Sequence, residues 1–525
     1  MLKNILDKRE DIQKYLYIRG FLITTEDVVI KEEGYPFYGN WHFQKVKKYK
    51  IGVHEDLNLF ILEKSGISFF LIGHAYNPFT MDYLENSILE TLAEAYMISE
   101  EEYVKLLNDL TGVFTAGFIS NQGIKLFGDA AGIQTTYYGI HDSKLYVSSH
   151  SELLGDVCNL EKDEYVKELI QYKYYKLFGR YLPGDISPYK NFKRLIPNFS
   201  VEYNGERFNI ARFYPTYKIE SCSEENYSEL INKAALILSN NMKLIHKKWD
   251  NPAISLTGGC DSKTTLACTK GEYENYNYFS YISNDSEEVD AIAAKKICDK
   301  LGLQHKTYMI PINNSEFDDY DIYEQILEQN CGNIGKNNNN DIRKRIFFNN
   351  NDDFDVEVKS WASEFGRAYY HKRFDKRSFP KKVTSRYLTT LYKVFLHNRK
   401  LVRQTDKIFE EFLKKYYTNQ DFQNVPWYDL LFWEFRVGSW NSLVITGEHR
   451  MSFDITIPYN NRILLELLLS TSIEKRIHDI PHKDIMRVSN KEIADIGISV
   501  TNVKHTNKRA KMERIYLEVH SRMPL

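Results

Sequence analysis

The sequence has no CxxC or CxxxxC pair. Its six cysteines (Cys158, Cys222, Cys260, Cys268, Cys298 and Cys331) are scattered, which speaks against a disulfide framework or a structural zinc site and for a reducing interior. No segment approaches the roughly 18 uninterrupted apolar residues of a membrane span. The opening "MLKNILDKREDIQKYLYIRG" lacks the apolar centre of a signal peptide. A net charge of −2 offers no basic excess for a general nucleic-acid surface. These absences predict a cytoplasmic protein with neither a membrane nor a nucleic acid as partner. Hydrophobic content of 43% and charged content of 27% over 525 residues are those of a soluble globular chain too long for one core. Abundant tyrosine and phenylalanine, and asparagine runs such as "KNNNN" at 336–340, read as composition and a loop.

Residues 1 to about 215 read as strands separated by turns. "LNLFILEKSGISFFLIGHAYNPF" (57–79) holds two short strands around Ser65-Gly66. A longer meander spans 110–154, with turn signals at Asn121-Gln122-Gly123 and His141-Asp142-Ser143, and a hairpin is predicted over Asn204-Gly205. From about 225 the pattern changes to helix, then strand "AISLTGG", helix, strand "YNYFSYIS", a helix with a capping-box start at Ser286, and strand "QHKTYMI". This alternation predicts a parallel sheet with crossover helices. The asparagine-rich 333–353 reads as a mobile loop, and the chain after about 380 as mostly helical, with the boundary between halves near 216–225.

"AISLTGGCDSKTTLAC" (253–268) is the stretch with most chemical content. A phosphate cradle needs backbone N–H groups converging on an anion at the positive end of a helix. Gly258 and Gly259 supply unobstructed backbone between strand and helix, Asp261 offers a carboxylate to magnesium, and Ser262 a hydroxyl. Neither GxxxxGK[ST] nor GxGxxG is present. The structural alternative is a tight turn with an Asp-Ser helix cap.

"TGGCDS" resembles the SGGxDS pyrophosphate loop of the ATP-pyrophosphatase (PP-loop) enzymes, with Thr257 where serine is usual. Within that group the chain resembles the asparagine synthetase and β-lactam synthetase superfamily over most of its length. The stretches that carry this are "LTGVFTAGFISNQGIKLFGDAAGIQTTYY", "YVSSHSELL", "RLIPNFSVEYNGERFNIARFYP" and "ITGEHRMSFDITIPYNNRILLELLLS". The resemblance implies an α/β fold in two domains. Residues 1–215 would form an Ntn-type αββα sandwich, glutaminase-like. Residues 216–525 would form a parallel-sheet PP-loop synthetase domain with a helical C-terminal region. It also implies ATP and Mg2+, with a substrate carboxylate attacking the α-phosphate to give an acyl-adenylate and pyrophosphate, and an amine then displacing AMP.

Carried over by residue, the resemblance assigns Leu256, Thr257, Gly258, Gly259, Asp261, Ser262 and Ser283 (at the end of "FSYIS") to nucleotide binding, and Asp261 and Glu364 to the metal. Glu364, in "KSWASEFGRAYY", stands where an aspartate between glycines is usual, and a solvated loop acid is the alternative. The catalytic lysine is expected at Lys504 in "SVTNVKHTNKRAK", with Lys508 as second choice; Arg450 and Arg487 are further phosphate or structural contacts.

Three departures shape the expected activity. Glutaminase action in the family needs a cysteine directly after the initiator methionine, and here Leu2, Lys3 and Asn4 follow it, while the family's "RD" pair is Gly128-Asp129. The N-terminal half therefore reads as a scaffold. The acid–base position three residues before the metal carboxylate is Trp361, which can serve as neither acid nor base, so deprotonation of the amine falls to another group, with Glu434, Glu448 and His449 left open. Arg367, just past Glu364, is a cation for an acidic substrate, for phosphates or for the helix surface.

The expectation is an ATP-dependent, AMP- and pyrophosphate-forming amide ligase that takes a small-molecule or peptide carboxylate and an amine or ammonia, without hydrolysing glutamine, as β-lactam synthetases and lasso-peptide cyclases do. A homodimer is a candidate assembly. The alternatives are a catalytically retired homologue acting as a binding or regulatory protein, and an ammonia-dependent asparagine synthetase. A PP-loop nucleic-acid modifier is disfavoured by the charge balance.

Overall fold

The computed structural model describes residues 2–26, 39–349, 351, 353–374, 379–498 and 507–523. Two antiparallel six-stranded sheets come first. One runs, in spatial order, Phe192–Arg194, Tyr137–His141, Lys144–Ser148, Phe21–Thr24, Tyr49–His54, Trp41–Val46; the other runs Phe208–Arg212, Phe199–Tyr203, Ile124–Gly128, Thr111–Ile119, Ile67–Tyr76, Leu59–Lys64. The expected hairpins at Ser65-Gly66, Gly123, Asp142-Ser143 and Asn204-Gly205 join neighbouring strands here.

The strand period of two explains how these sheets stack. In Ile67–Tyr76, Phe70 and Ile72 enter an apolar layer shared with Phe21, Ile23, Ile51 and Val147 of the other sheet. Phe69 and Leu71, the alternate residues, meet Ile88, Leu89 and Leu92 of the helix Glu85–Ile98 on the opposite face. Leu22 likewise points away from the shared layer, toward Leu6, Ile12 and Leu16, and toward Ile326, Leu327, Ile342 and Ile346 from the second half of the chain. Burial on both faces is why "SFFLIG" reads as a continuous apolar run instead of an alternating one.

The second half builds a five-stranded parallel sheet in the order His305–Met309, Asn277–Ile282, Pro252–Ser255, Val356–Val358, Asp454–Thr456. The chain proceeds outward from Pro252–Ser255 in one direction, then crosses to its other side at Val356. A ligand crevice is expected at such a reversal, beyond the carboxyl ends of the strands. The helix Asp285–Leu301 begins two residues earlier than the Ser286 capping box would place it. Asn284 is its cap, accepting from Ser286 and Glu287 amides at 3.1 Å each, while the Glu287 carboxylate turns to Ser283.

The asparagine-rich segment corrects the sequence reading. Asn339–Asn349 is a helix with Ile342, Ile346 and Phe348 buried. Asparagine disfavours helix only weakly, and the apolar stripe at i, i+4 supplies the packing that decides it.

Buried polar groups join the antiparallel sheets to the rest. Asp129 accepts from the amides of Ile133 and Gln134 at 2.8 Å and from Asn460 at 2.9 Å. Arg462 donates to the Gly128 and Asp129 carbonyls. Glu434, on the π-helical segment Phe432–Asn441, receives Arg212 through Nη1 and Nη2 at 2.6 and 2.9 Å.

Candidate active site

The strand Pro252–Ser255 delivers the loop to the switch point. Leu256 is still paired, its amide to the Phe279 carbonyl at 2.8 Å and its carbonyl to the Ser280 hydroxyl at 2.7 Å. Thr257 and Ser262 then clamp the turn: their hydroxyls are 3.0 Å apart, and Ser262 Oγ also meets the Thr257 amide (3.3 Å) and carbonyl (3.0 Å). A Cβ on Gly259 would lie 3.1 Å from Thr257 Oγ1, a tight contact that would press on this clamp. Gly259 caps the helix Cys260–Ala267, whose first-turn amides have no carbonyl partner within the helix and face outward at its positive end. The Gly258 amide donates to Asp290 Oδ1 at 3.1 Å.

Two carboxylates meet beside this loop. Asp261 Oδ1 accepts from Ser363 Oγ at 2.7 Å, Asp261 Oδ2 pairs with Arg367, and the buried His482 Nε2 stands 3.9 Å from Oδ1. Glu364 lies on the turn Ser363–Arg367, which follows the strand Val356–Val358 across the crevice. Its Oε2 is sealed from solvent without a hydrogen-bond partner among the described residues. Burial, and next the negative charge of Asp261, push its carboxyl up to about 7. The turn is bracketed by Ala362 and Ala368, both left-handed at φ 67° and 48°. Alanine there costs about 1 kcal/mol or more relative to glycine, and strain of that kind gathers at functional sites.

The cleft between these parts has a volume of about 610 Å³ and is lined by Thr257–Asp261, Lys263, Asp290, Arg367, Asp479, Lys483 and Arg487. Asp479 anchors Arg367 through Nε (2.8 Å) and Nη2 (3.3 Å) and also pairs with Lys372. Burial would raise the Asp479 carboxyl, but these two cations hold it below its ordinary value. Among the described residues no group of three or more His, Cys, Asp or Glu side chains could hold a metal ion. A pair of carboxylates is what Mg2+ takes when substrate phosphates complete its shell, and the orphaned Glu364 oxygen beside Asp261 fits that role.

No protein-family model matches the chain, and no curated protein matches it. Solved structures that it resembles include glutamine phosphoribosylpyrophosphate (PRPP) amidotransferase from B. subtilis complexed with ADP and GMP, at 13% identity and a TM-score of 0.23 over 57% of this chain and 61% of that one. Another is described as the allosteric regulatory enzyme of purine biosynthesis, at 14% identity and a TM-score of 0.24 over 52% of this chain and 61% of that one. The matched region thus spans less than two thirds of either protein.

Of the residues singled out in the sequence, Leu256, Thr257, Gly258, Gly259, Asp261, Ser262 and Glu364 come together. Glu364 is no solvated loop acid. Ser283 ends the neighbouring strand on the same sheet edge, but its amide and hydroxyl are taken by Glu287 at 2.8 and 2.6 Å, and it does not line the cleft. Lys504 lies outside the described residues. Lys263 Nζ donates to the Ile498 carbonyl at 2.7 Å, so the chain reaches the loop just before that segment. Arg487 lines the cleft, whereas Arg450 is buried against Asp454 and Gln134, away from it.

Of the three groups left open as bases, Glu434 is consumed by Arg212, Asn198 and Tyr417. Glu448 pairs with Arg180 at 3.4 Å, and His449 packs on Trp361, which stacks on Trp440. Sequence reasoning missed Asp290, Asp479, His482 and Lys483. Only the left-handed Asp479 before a Pro-initiated helix carried any local signal. In the antiparallel half, the Phe21 amide opening the strand Phe21–Thr24 donates to Ser149 Oγ, within a continuous chain.

Proposed function

We propose that the chain is an ATP-dependent amide ligase that adenylates a substrate carboxylate, releases pyrophosphate, and passes the acyl group to an amine or ammonia without hydrolysing glutamine. The observation that carries this reading is the juxtaposition, at the sheet's switch point, of the Thr257–Ser262 loop, whose Asp261 lines a cation-lined cleft, with the orphaned Glu364, close enough to Asp261 to feel its charge. On this reading residues 216–525 are a PP-loop synthetase domain and residues 1–215 a glutaminase-like scaffold.

The chain's own groups divide the work. The helix N-terminus and Lys263, Lys483 and Arg487 receive the pyrophosphate end of ATP. Asp261 and Glu364 would hold magnesium, which supplies charge neutralisation on the departing pyrophosphate when bound. Lys504 is proposed as the cation facing the reacting carboxylate. Trp361, stacked on Trp440 and packed against His449, exchanges no proton, so the amine loses its proton to another group or to solvent.

Calorimetric titration with α,β-methylene ATP and Mg2+, beside pyrophosphate release assayed over a panel of carboxylates, tests the reading. Wild type should bind, and folded Asp261→Ala should lose both binding and release. Should folded wild type ignore the nucleotide, the loop is only a capped turn. A second reading, a nucleotide-binding protein without catalysis, draws on the hold that Arg367 has on Asp261. It predicts binding with no pyrophosphate from any carboxylate.

A further inference from the structure

Two of the groups that a magnesium–pyrophosphate would seek in this cleft are already engaged from within the chain. The Asp261 oxygen not held by Ser363 is paired with the Arg367 guanidinium, and the Gly258 amide, at the centre of the loop, donates to the Asp290 carboxylate. We infer that Arg367 and Asp290 are internal stand-ins, the first for the metal at Asp261 and the second for a phosphate oxygen at Gly258, so that metal and nucleotide are admitted together and not one at a time. This rests on the reading of the loop as a nucleotide site.

The arrangement around Arg367 is that of a cation able to leave. Its guanidinium has a second anchor in Asp479, two hydrogen bonds long, about which it can pivot once Asp261 is released. Lys372 keeps the Asp479 charge compensated whichever way the arginine points. The side chain is 23% exposed, so it moves without opening the core. Asp261 itself is fixed by Ser363, and His482, fully buried with neither ring nitrogen hydrogen-bonded among the described residues, backs the same carboxylate.

A divalent ion arriving alone must expel Arg367 and leave the guanidinium facing Lys263 and Lys483 across the same cleft. Arriving with phosphates, it brings the anion to which Arg367 turns. The phosphates in turn displace Asp290 from Gly258, whose carboxylate sits on the half-exposed face of the helix Asp285–Leu301 and returns to water. Coupling of this kind is reciprocal: nucleotide raises metal affinity by the factor by which metal raises nucleotide affinity.

Mn2+ binding by full-length protein, read from the free-ion electron paramagnetic resonance signal, tests the inference. Wild type should bind Mn2+ weakly alone and far more tightly with α,β-methylene ATP. Arg367→Gln should bind Mn2+ alone roughly ten- to a hundredfold more tightly, the range of one charge-assisted hydrogen bond, and adding Asp261→Asn should abolish the gain. Asp290→Asn should bind inorganic pyrophosphate several-fold more tightly and Mn2+ alone as wild type does, a test that stands if Arg367→Gln does not fold. Equal Mn2+ affinity in folded wild type and Arg367→Gln, with nucleotide still bound, overturns the inference and spares the proposed site. Failure of every folded variant to take Mn2+ even with the nucleotide overturns both.

Discussion

Replacing Glu434 with glutamine keeps the side chain's shape and removes its charge. The carboxylate is fully buried and accepts four hydrogen bonds: from Arg212 at 2.6 and 2.9 Å, Tyr417 at 2.6 Å and Asn198 at 3.0 Å. Arg212, 12% exposed and stacked 4.3 Å from the Phe199 ring, has no route to water without leaving that packing. Removing one member of a buried pair costs about 3–5 kcal/mol, because the remaining charge is stranded. Glutamine still accepts with one oxygen, which places the variant near the lower end, about 3 kcal/mol.

Against a typical stability of about 5–15 kcal/mol this is large. Urea denaturation followed by tryptophan fluorescence and by circular dichroism reads it as a lower midpoint at unchanged slope. Because Arg212 lies on the strand Phe208–Arg212 and Glu434 far along the chain, both probes should shift together. Replacing both residues by apolar ones of similar size should restore most of the loss. A shift under about 1 kcal/mol for Glu434→Gln would refute the stranded-charge argument. A selective loss of turnover at full stability would instead return Glu434 to the list of bases.

Two further outcomes follow from buried groups outside the cleft. Burial holds His150 down to about 3, so the folded state keeps it neutral. Its contribution is present above the unfolded value near 6.5 and is lost as pH falls toward 3, by about 2 kcal/mol at pH 5. His150→Gln should therefore lose about 2 kcal/mol less than wild type between pH 7 and pH 5, and an identical loss in both would refute the assignment. In the asparagine-rich helix, Arg343, Lys344 and Arg345 are 7%, 6% and 1% exposed and Ile342 is fully buried. Native protein should resist trypsin at those three sites, and Ile342→Ala should cost about 2–5 kcal/mol in urea. Rapid native cleavage there would mean that the segment is a loop after all.

How much of this was legible in the sequence depends on the range of the interactions involved. The Thr257–Ser262 loop could be read because its chemistry is local: a strand, two glycines, and a hydroxyl five residues on that clamps the turn. Hairpins at Gly123 and Gly205 were legible for the same reason. The asparagine run has the composition of a loop but the spacing of a helix, since Ile342 and Ile346 share one helical face.

Asp290 and His482 carry no local signal, and Asp479 only that of a residue before a Pro-initiated helix. Asp290 and His482 lie on helices and Asp479 just before one, and each acquires meaning only when crossovers bring it within reach of residues 32 to more than 200 positions away. Arg367 is the instructive case between these. Its place beside a candidate metal carboxylate is plain in the sequence, but the sequence holds no trace of its partner Asp479. A guanidinium aimed at solvent would have been a phosphate ligand in waiting. Seated on Asp261 and tethered to Asp479, it occupies the oxygen that the proposed metal would need, and nucleotide-dependent Mn2+ binding is the measurement that separates a working site from a merely well-capped turn.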